Sequence, residues 1–422
     1  MNTVTKAMRD RPRRLLLCLD GVPHEVIRQA RHRGLFDCFH EPSRLLSPFP
    51  TMTNVALSTM LNASAPAGYE SLYFDSDARE MRGGISNYVG RRTPDKIPSS
   101  YMDTLDYQEP LHFEFLIYVL PERIWRTDFN RFRQRLNCHA VTSDFFAFLK
   151  STDGLLHIRG QEALGIALAH LDWMLRDVVK DYGRDTEIVV FSDHGMNLVD
   201  NKRVPLRAHL RRCGYKFSRD LKGAPASHIA IPAFGLCGYA AIYCAHDEVA
   251  AKVADKLSEL EGVDFSIHAD GAAAVVKSAR GEARILRKVR DGETFYSYQQ
   301  STGDPLDLQS LIERVQEMFD AENFASEEIW YEHTSEHTYP DVIANLYGAL
   351  FCSRVRHTAN VLVSFKDGYY YGAEGFDHFA SRLCATHGNA LAPSTTAFLM
   401  STHRTFPATV RAKDANSLLC EN

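Results

Sequence analysis

Residues 188–196 read IVVFSDHGM. Four apolar side chains, Ile188 to Phe191, run without a polar interruption and stop on Ser192, Asp193 and His194. A short unbroken apolar run is the pattern of a strand buried on both faces. Gly195 permits a tight turn directly after it. An acid beside an imidazole at that point falls on the carboxyl edge of a sheet, where α/β folds collect their ligands. Taken alone, the same pair also reads as a helix N-cap aspartate with a surface histidine, so the rest of the chain decides.

Similar runs recur. RLLLCLD (14–20), FFAFLKSTD (145–153), YAAIYC (239–244), NVLVSF (360–365) and TAFLMS (396–401) all read as buried strands. Between them lie helical patterns. The clearest is 160–183, with Leu164, Leu168, Leu171, Leu175 and Val178 at helical spacing and Gly183 as its stop. Strands alternating with amphipathic helices predict an α/β fold: a doubly wound, mostly parallel central sheet with helices on both faces. Asp20, Asp153 and Asp193 then fall at the carboxyl ends of strands. Residues 76–140 and 266–338 break the alternation and read as insertions around a single catalytic domain spanning 1–422.

The chain has 422 residues, 45% of them hydrophobic, enough for a large core. Its formal net charge of −5 and lack of a basic tract remove the electrostatic footprint of a nucleic-acid binder. No stretch reaches about eighteen consecutive apolar residues, so no membrane span is expected. The run Leu15 to Leu19 is too short for a signal-peptide core. Nine cysteines, an odd number without a Cys-x-x-Cys pair, read as reduced thiols and predict a cytoplasmic protein.

Four more stretches carry side chains suited to chemistry. In FLKSTDGLLHIRG (148–160), Asp153 is followed at four residues by His157, a spacing at which both can face one cation. In LCLDGVP (17–23), Asp20 ends the first strand, although Asp-Gly is also a common turn pair. SPFPTMTNVALSTML (47–61) offers Thr51 and Thr53 between a proline turn and a helical pattern, where a threonine could equally be an N-cap. In LCATHGNALAPSTTAFLMS (383–401), His387-Gly388 precedes the last core strand.

Taken in order, the set resembles the alkaline phosphatase superfamily, and within it the type I phosphodiesterase/nucleotide pyrophosphatase group, with the phosphonoacetate hydrolases nearby. The resemblance covers roughly residues 14–75, 141–265 and 340–402. It implies two divalent metal ions. Asp153, His157 and His387 match the ligands of one, and Asp20, Asp193 and His194 those of the other. Mixed Asp/His ligation favours zinc, with manganese or iron as alternatives. Thr53 matches the nucleophile, which also touches metal, in the pattern F-P-T-x-T; Thr51 is the fallback. Two cations about 3.5–4 Å apart hold the attacking oxygen and a phosphoryl oxygen together. A helix starting near Thr53 adds amide donors toward the anion.

The chain departs from the group in two places. Asn54-Val55-Ala56 follows the nucleophile where nucleotide pyrophosphatases have F-P-N-H, and Thr53-Asn54 is closer to phosphonoacetate hydrolases. The group also carries a phosphate-binding asparagine downstream, and here Ser71 falls nearest, with Glu70 beside it. Asn54 and Ser71 are therefore the substrate-binding candidates. The sulfatase signature C/S-x-P-x-R is missing, and the serine of phosphomonoesterases is replaced by threonine.

The expected function is a metal-dependent phosphoester hydrolase, a phosphodiesterase or pyrophosphatase, acting on a small phosphate-containing substrate. Alternatives that keep the site are phosphonate hydrolysis, monoester hydrolysis and phosphoryl transfer. A non-enzymatic binding protein is disfavoured by the intact ligand set. Weaker features are His333 and His337, which read as a polar loop before a helix near Tyr339-Pro340-Asp341, with a third metal site as the less favoured reading. Tyr69, Tyr73 and Phe74 read as packing rather than a base platform, Arg91 and Arg92 as a solvated face, and KDGYYYG (366–372) as a hairpin turn.

Overall fold

A computed structural model describes residues 14–84, 97–108, 116–117, 119–138, 144–182, 186–373 and 383–420. The chain enters a central sheet with β1 (Arg14–Leu19), β2 (Ser43–Leu46), β3 (Tyr107–Gln108), β4 (Phe145–Leu149) and β5 (Glu187–Phe191). It leaves for a second sheet with β6 (Lys216–Phe217), β7 (His228–Ala230), β8 (Tyr239–Cys244), β9 (Val263–Asp270), β10 (Ala273–Ser278), β11 (Gly281–Arg290), β12 (Glu293–Gly303), β13 (Ala325–Ser326) and β14 (Val361–Phe365). It returns to the first with β15 (Thr396–Ser401) and β16 (Thr409–Arg411).

The seven-stranded central sheet runs β16-β2-β15-β5-β1-β4-β3. β5, β1, β4 and β3 are mutually parallel, as are β2 and β16; β15 lies antiparallel to both of its neighbours. β1 shows why the apolar run is unbroken. Leu15, Leu17 and Leu19 enter one core with α1 (His24–His32), while Leu16 and Cys18 enter another with α2 (Thr53–Met60). Helices thus cover both faces, and alternate side chains of one strand are buried on opposite sides. The first of these cores is completed by α3 (Pro121–Cys138) and by Leu164, Leu168, Leu171 and Leu175 of α4 (Ser151–Tyr182).

Two strand runs expected in this sheet lie elsewhere. YAAIYC and NVLVSF are β8 and β14, antiparallel partners inside the nine-stranded second sheet, β13-β12-β11-β10-β9-β14-β8-β7-β6. A short apolar run signals burial on both faces, but it does not say in which sheet or direction. Residues 266–338 supply much of this second sheet as a meander. KDGYYYG does turn, but it does not close a hairpin. Both edges of β14 are already taken by β8 and β9, so Tyr369–Gly372 pairs instead with Leu236–Cys237 and Lys202–Arg203.

The helix expected over 160–183 begins earlier, at Ser151, and is broken at Gly160, whose φ of 67° is left-handed. The apolar segment ends at Leu149, so Asp153 sits in the helix's first turn rather than at the strand end. Gly183, Arg91 and Arg92 lie outside the described residues. No helix among the described residues is long and apolar enough to cross a membrane.

α2 belongs to both halves of the fold. Its Ala56, Leu57 and Met60 join the core beneath the central sheet, while Val55 and the preceding Phe49 and Met52 join the core of the second sheet. Phe265 of β9 closes this junction, tilted against Phe49 at 6.0 Å and edge-on to Tyr339 at 5.7 Å. Its truncation leaves a cavity at the joint between the sheets. Phe265→Ala should lower unfolding free energy by about 3–5 kcal/mol in urea titrations. A loss under about 1 kcal/mol would show that the joint does not carry the packing.

Candidate active site

Strand ends and helix starts converge on one point. Asp20 follows β1, its amide held by the Leu149 carbonyl of β4 at 3.1 Å. Asp193 and His194 follow β5. Ser192 fixes that turn, accepting from the Val22 amide at 2.9 Å and donating to the His194 carbonyl at 2.8 Å. The Gly21 amide, at a left-handed φ of 72°, reaches Asp193 Oδ1 at 3.2 Å. Gly195 has a stricter role than a flexible turn: a Cβ there would stand 2.2 Å from the Pro393 carbonyl oxygen. No side chain larger than hydrogen fits, and this close approach lays the DHG turn against the segment before β15.

Asp153 and His157 are one helical turn apart on α4, with His157 Nε2 3.3 Å from Asp153 Oδ1. His387 comes from the loop before β15, and its Nε2 lies 3.5 Å from the same Asp153 oxygen. That loop is zipped to residues 51–53. Thr51 Oγ1 accepts from the Gly388 amide at 2.8 Å and donates to the Asn389 carbonyl at 3.1 Å, so its hydroxyl is committed to the scaffold. Thr53 is the first residue of α2, which no side chain caps. Its Oγ1 lies 3.3 Å from Asp20 Oδ1 and 3.3 Å from His194 Nε2. His194 is also 3.4 Å from an oxygen of Asp20 and of Asp193, and its ring stacks on His387 with centroids 4.0 Å apart.

All three imidazoles are oriented alike. Each points Nδ1 at a backbone carbonyl: His157 at Ala385 (2.7 Å), His194 at Gly195 (3.0 Å), and His387 at Thr51 (2.8 Å). A carbonyl can only accept, so Nδ1 carries the proton and Nε2 presents a lone pair. Those lone pairs face carboxylate oxygens, an arrangement that repels unless a cation stands between them. Asp153 Oδ1 and Asp193 Oδ2 are buried without a hydrogen-bond donor, and no Lys or Arg among the described residues pairs with either acid.

Titration follows the same logic. Burial pushes Asp193 up to about 7, against the Gly21 amide and with the charge of Asp153 adding to the rise. Burial would also raise Asp153, but the surrounding His157, His387 and His194 hold it below the carboxylate range. His387 is pushed down to about 4 by burial, and His194 is also driven well below its ordinary value. His157 moves the other way: burial lowers it, but the Asp153 carboxylate beside it raises it above its ordinary value. Oriented imidazoles among buried carboxylates make a donor set suited to divalent metal. Three-residue clusters that could hold an ion are Asp20–Asp193–His194 and Asp153–His194–His387. His194 thus stands near both groups of acids, whereas the sequence assigned it to one.

Of the other candidates, Asn54 sits beside Thr53 and its Oδ1 accepts from the Tyr101 hydroxyl at 2.9 Å. Ser71 lies at the base of the hairpin Leu72–Asp75/Glu80–Gly83, and the cluster described above is built without it. Glu70 is turned to the scaffold, accepting from the Phe234 amide at 3.2 Å and the Tyr239 hydroxyl at 3.0 Å. Tyr69 and Phe74 are core residues, and Tyr73 stacks on His357. His333 is an exposed residue of α5 (Glu327–Thr334), and both ring nitrogens of His337 meet backbone groups. A third cluster, Asp75–Asp77–His357, is already satisfied at its acid: Asp75 accepts two backbone amides and pairs with Arg82. Sequence reasoning missed Tyr101, the carbonyls that orient the histidines, and Ser47, whose hydroxyl donates to the Asp193 carbonyl. Only Ser192, inside the DHG stretch itself, had a local signal.

Comparison with known proteins gives this geometry a family context. The family model described as type I phosphodiesterase/nucleotide pyrophosphatase matches residues 84–304. That span includes Asp153, His157, Asp193 and His194. Phosphonoacetate hydrolase from Sinorhizobium meliloti 1021, in complex with phosphonoformate, has a similar fold: TM-score 0.51, 12% identity, 97% of this chain and 95% of that one covered. Murine ectonucleotide pyrophosphatase/phosphodiesterase 5 aligns with a TM-score of 0.45 and 14% identity over 96% and 93%. An inactive variant of the murine protein in complex with AMP gives 0.46 and 13% over 97% and 94%. No curated protein matches the sequence.

The donor set predicts a cation-dependent fold stability. Zinc or manganese added to chelator-treated protein should raise the melting temperature, with about 2.7 kcal/mol of stabilisation at a hundredfold excess over Kd. The rise should shrink in Asp153→Ala and in Asp193→Ala. Equal melting curves with and without metal in the unsubstituted protein would remove the metal-site reading.

Proposed function

The chain belongs to the type I phosphodiesterase/nucleotide pyrophosphatase family and is a hydrolase of phosphoester bonds; on that premise we propose that it acts as a two-metal phosphodiesterase or pyrophosphatase with Thr53 as nucleophile. The observation that carries this reading is the Thr53 hydroxyl, 3.3 Å from both Asp20 Oδ1 and His194 Nε2 at the uncapped start of α2.

Asp20, Asp193 and His194, with Thr53, would hold one ion, and Asp153, His157 and His387 the other. Zinc suits this mixed set best, with manganese or iron as alternatives. Such ions, when bound, lower the pKa of a hydroxyl and neutralise phosphoryl charge. The chain's own residues do the rest. Thr51, locked between Asn389 and Gly388, keeps the loop fixed and leaves Thr53 as the reacting hydroxyl. Thr53 Oγ1 gives up its proton and attacks phosphorus in line, one ester oxygen leaves and takes up a proton as the free alcohol (or phosphate), and Thr53 is left carrying the phosphoryl group with its other ester substituent. Water then displaces Thr53 Oγ1, restoring the hydroxyl and releasing a phosphomonoester. The first-turn amides of α2 point toward the oxyanion. Asn54, its Oδ1 taken by Tyr101, turns its amide Nδ2 to a phosphoryl oxygen.

The substrate is a small phosphate-bearing molecule, in keeping with the phosphonoformate held by the phosphonoacetate hydrolase of similar fold. Phosphonate cleavage is the second reading, favoured by the Thr53-Asn54 pair. The scattered cysteines without a Cys-x-x-Cys pair favour a reducing compartment, the cytoplasm.

The test is turnover of zinc- or manganese-loaded protein on bis-p-nitrophenyl phosphate against p-nitrophenyl phosphate. The diester should be preferred. Thr53→Ala should lose at least about 10³-fold in kcat while keeping its metal. Monoester preference would overturn the diesterase assignment, and retained turnover in the variant would overturn the nucleophile.

A further inference from the structure

A cavity of about 410 Å³ lies between the two sheets at the C-terminal end of α2, away from Thr53. None of the candidate catalytic or metal-binding residues lines it. Its volume is in the range of small-molecule sites, ~300–1,000 Å³, and far above what one water needs.

The charges on its wall do not balance. Arg287, Arg354, Arg411 and Lys413 line it, against Glu327 and Asp341. Both acids are already engaged: Arg411 pairs with each, and Lys413 with Glu327. Neither Arg287 nor Arg354 has a carboxylate within ion-pair distance among the described residues. Arg354 makes only neutral contacts, donating to the carbonyls of Phe49 (2.8 Å) and Asn345 (3.0 Å) and to Asn345 Oδ1 (3.1 Å). Burial pushes its guanidinium below the ordinary value, and an anion beside it would offset that penalty.

Two further donors on the same wall are orphaned. Ser58 and Arg411 are each 5% exposed, and Ser58 Oγ and Arg411 Nε have no hydrogen-bond partner. Buried donors without partners are rare in folded proteins and indicate a missing acceptor.

We propose that this cavity is a second, non-catalytic site that binds a small organic phosphate. Its donors come from separate elements: Ser58 from α2, Arg287 from β11, Arg411 from β16, and Arg354 from the segment after α6 (Val342–Phe351). Donors converging from several directions suit the three oxygens of a tetrahedral phosphoryl group better than a planar carboxylate. The remaining wall includes Leu46, Ala63 and Ala344, which gives an organic body somewhere to pack. The site also reaches the catalytic loop. Arg354 holds the Phe49 carbonyl, and Asn345 Nδ2 lies 3.4 Å from the Ser47 carbonyl, four and six residues before Thr53.

This inference is independent of the hydrolase reading, because its readout is binding to protein without metal. Stripped of cations, the carboxylate cluster repels anions. The full chain, treated with chelator, is titrated by calorimetry and equilibrium dialysis with glycerol 3-phosphate, inorganic phosphate and malonate. One glycerol 3-phosphate should bind per chain, inorganic phosphate several-fold more weakly, and malonate more weakly still. Arg287→Glu, on an exposed strand position, should weaken binding about tenfold or more. Ser58→Ala should weaken it several-fold, and Thr53→Ala should leave it unchanged. No saturable binding, or undiminished binding in correctly folded Arg287→Glu and Ser58→Ala, would overturn the site. Malonate or inorganic phosphate binding as tightly as glycerol 3-phosphate would overturn its assignment to an organic phosphate.

Discussion

The acidic charge gathered at one edge of the central sheet is the constraint that the surrounding structure serves. Asp20, Asp153 and Asp193 are all buried, and three carboxylates held together out of water repel one another and lose hydration. Ordinary folding would answer them with lysine or arginine. Here the neighbours are imidazoles, each tied by Nδ1 to a backbone carbonyl. The scaffold spends its hydrogen bonds on aiming lone pairs inward instead of cancelling charge. That choice suits cation binding and works against the stability of an empty site. The Gly21 amide on Asp193 and the Thr53 hydroxyl on Asp20 are donors that answer the charge directly.

Much of this was legible in the sequence, for definite physical reasons. Strand burial shows as unbroken apolar runs, and residues just past such runs lie at the ligand-collecting edge. Asp20, Asp193 and His194 could be placed that way. Asp153 shows the limit, because FFAFL and the STD that follows read as one segment while the chain turns into a helix at Ser151. The division into two sheets was not legible at all. YAAIYC and NVLVSF have the same composition as the central strands, and only long-range pairing, of β8 with β14 and β9, assigns them. Tyr101 on Asn54 and Arg354 on Phe49 are likewise contacts between distant parts of the chain, which no local pattern encodes.

The second sheet does more than widen the molecule. Phe49, Met52 and Val55 pack on it, while Ala56, Leu57 and Met60 pack beneath the central sheet. The helix that begins with Thr53 is therefore held from both sides, and its position depends on how the two cores meet. The polar cavity near its far end occupies the same junction, where the Arg354 side chain reaches the backbone of the loop before Thr53. A ligand there and a substrate at Thr53 would share one short element.

The placement of His387 has a consequence for biosynthesis. The site's other groups come from residues 20 to 194, and a nascent chain emerges N-terminus first. His387 and the strand that follows it, β15, come near the end, and β15 inserts between β2 and β5. Until that segment leaves the ribosome, β2 cannot join the central sheet, the DHG turn lacks the Pro393 carbonyl it packs on, and Thr51 lacks Gly388 and Asn389. A chain cut between His194 and His387 thus carries all three acids, Asp20, Asp153 and Asp193, with no closed pocket around them. The pocket is thus enclosed by a segment made well after the acids that it surrounds.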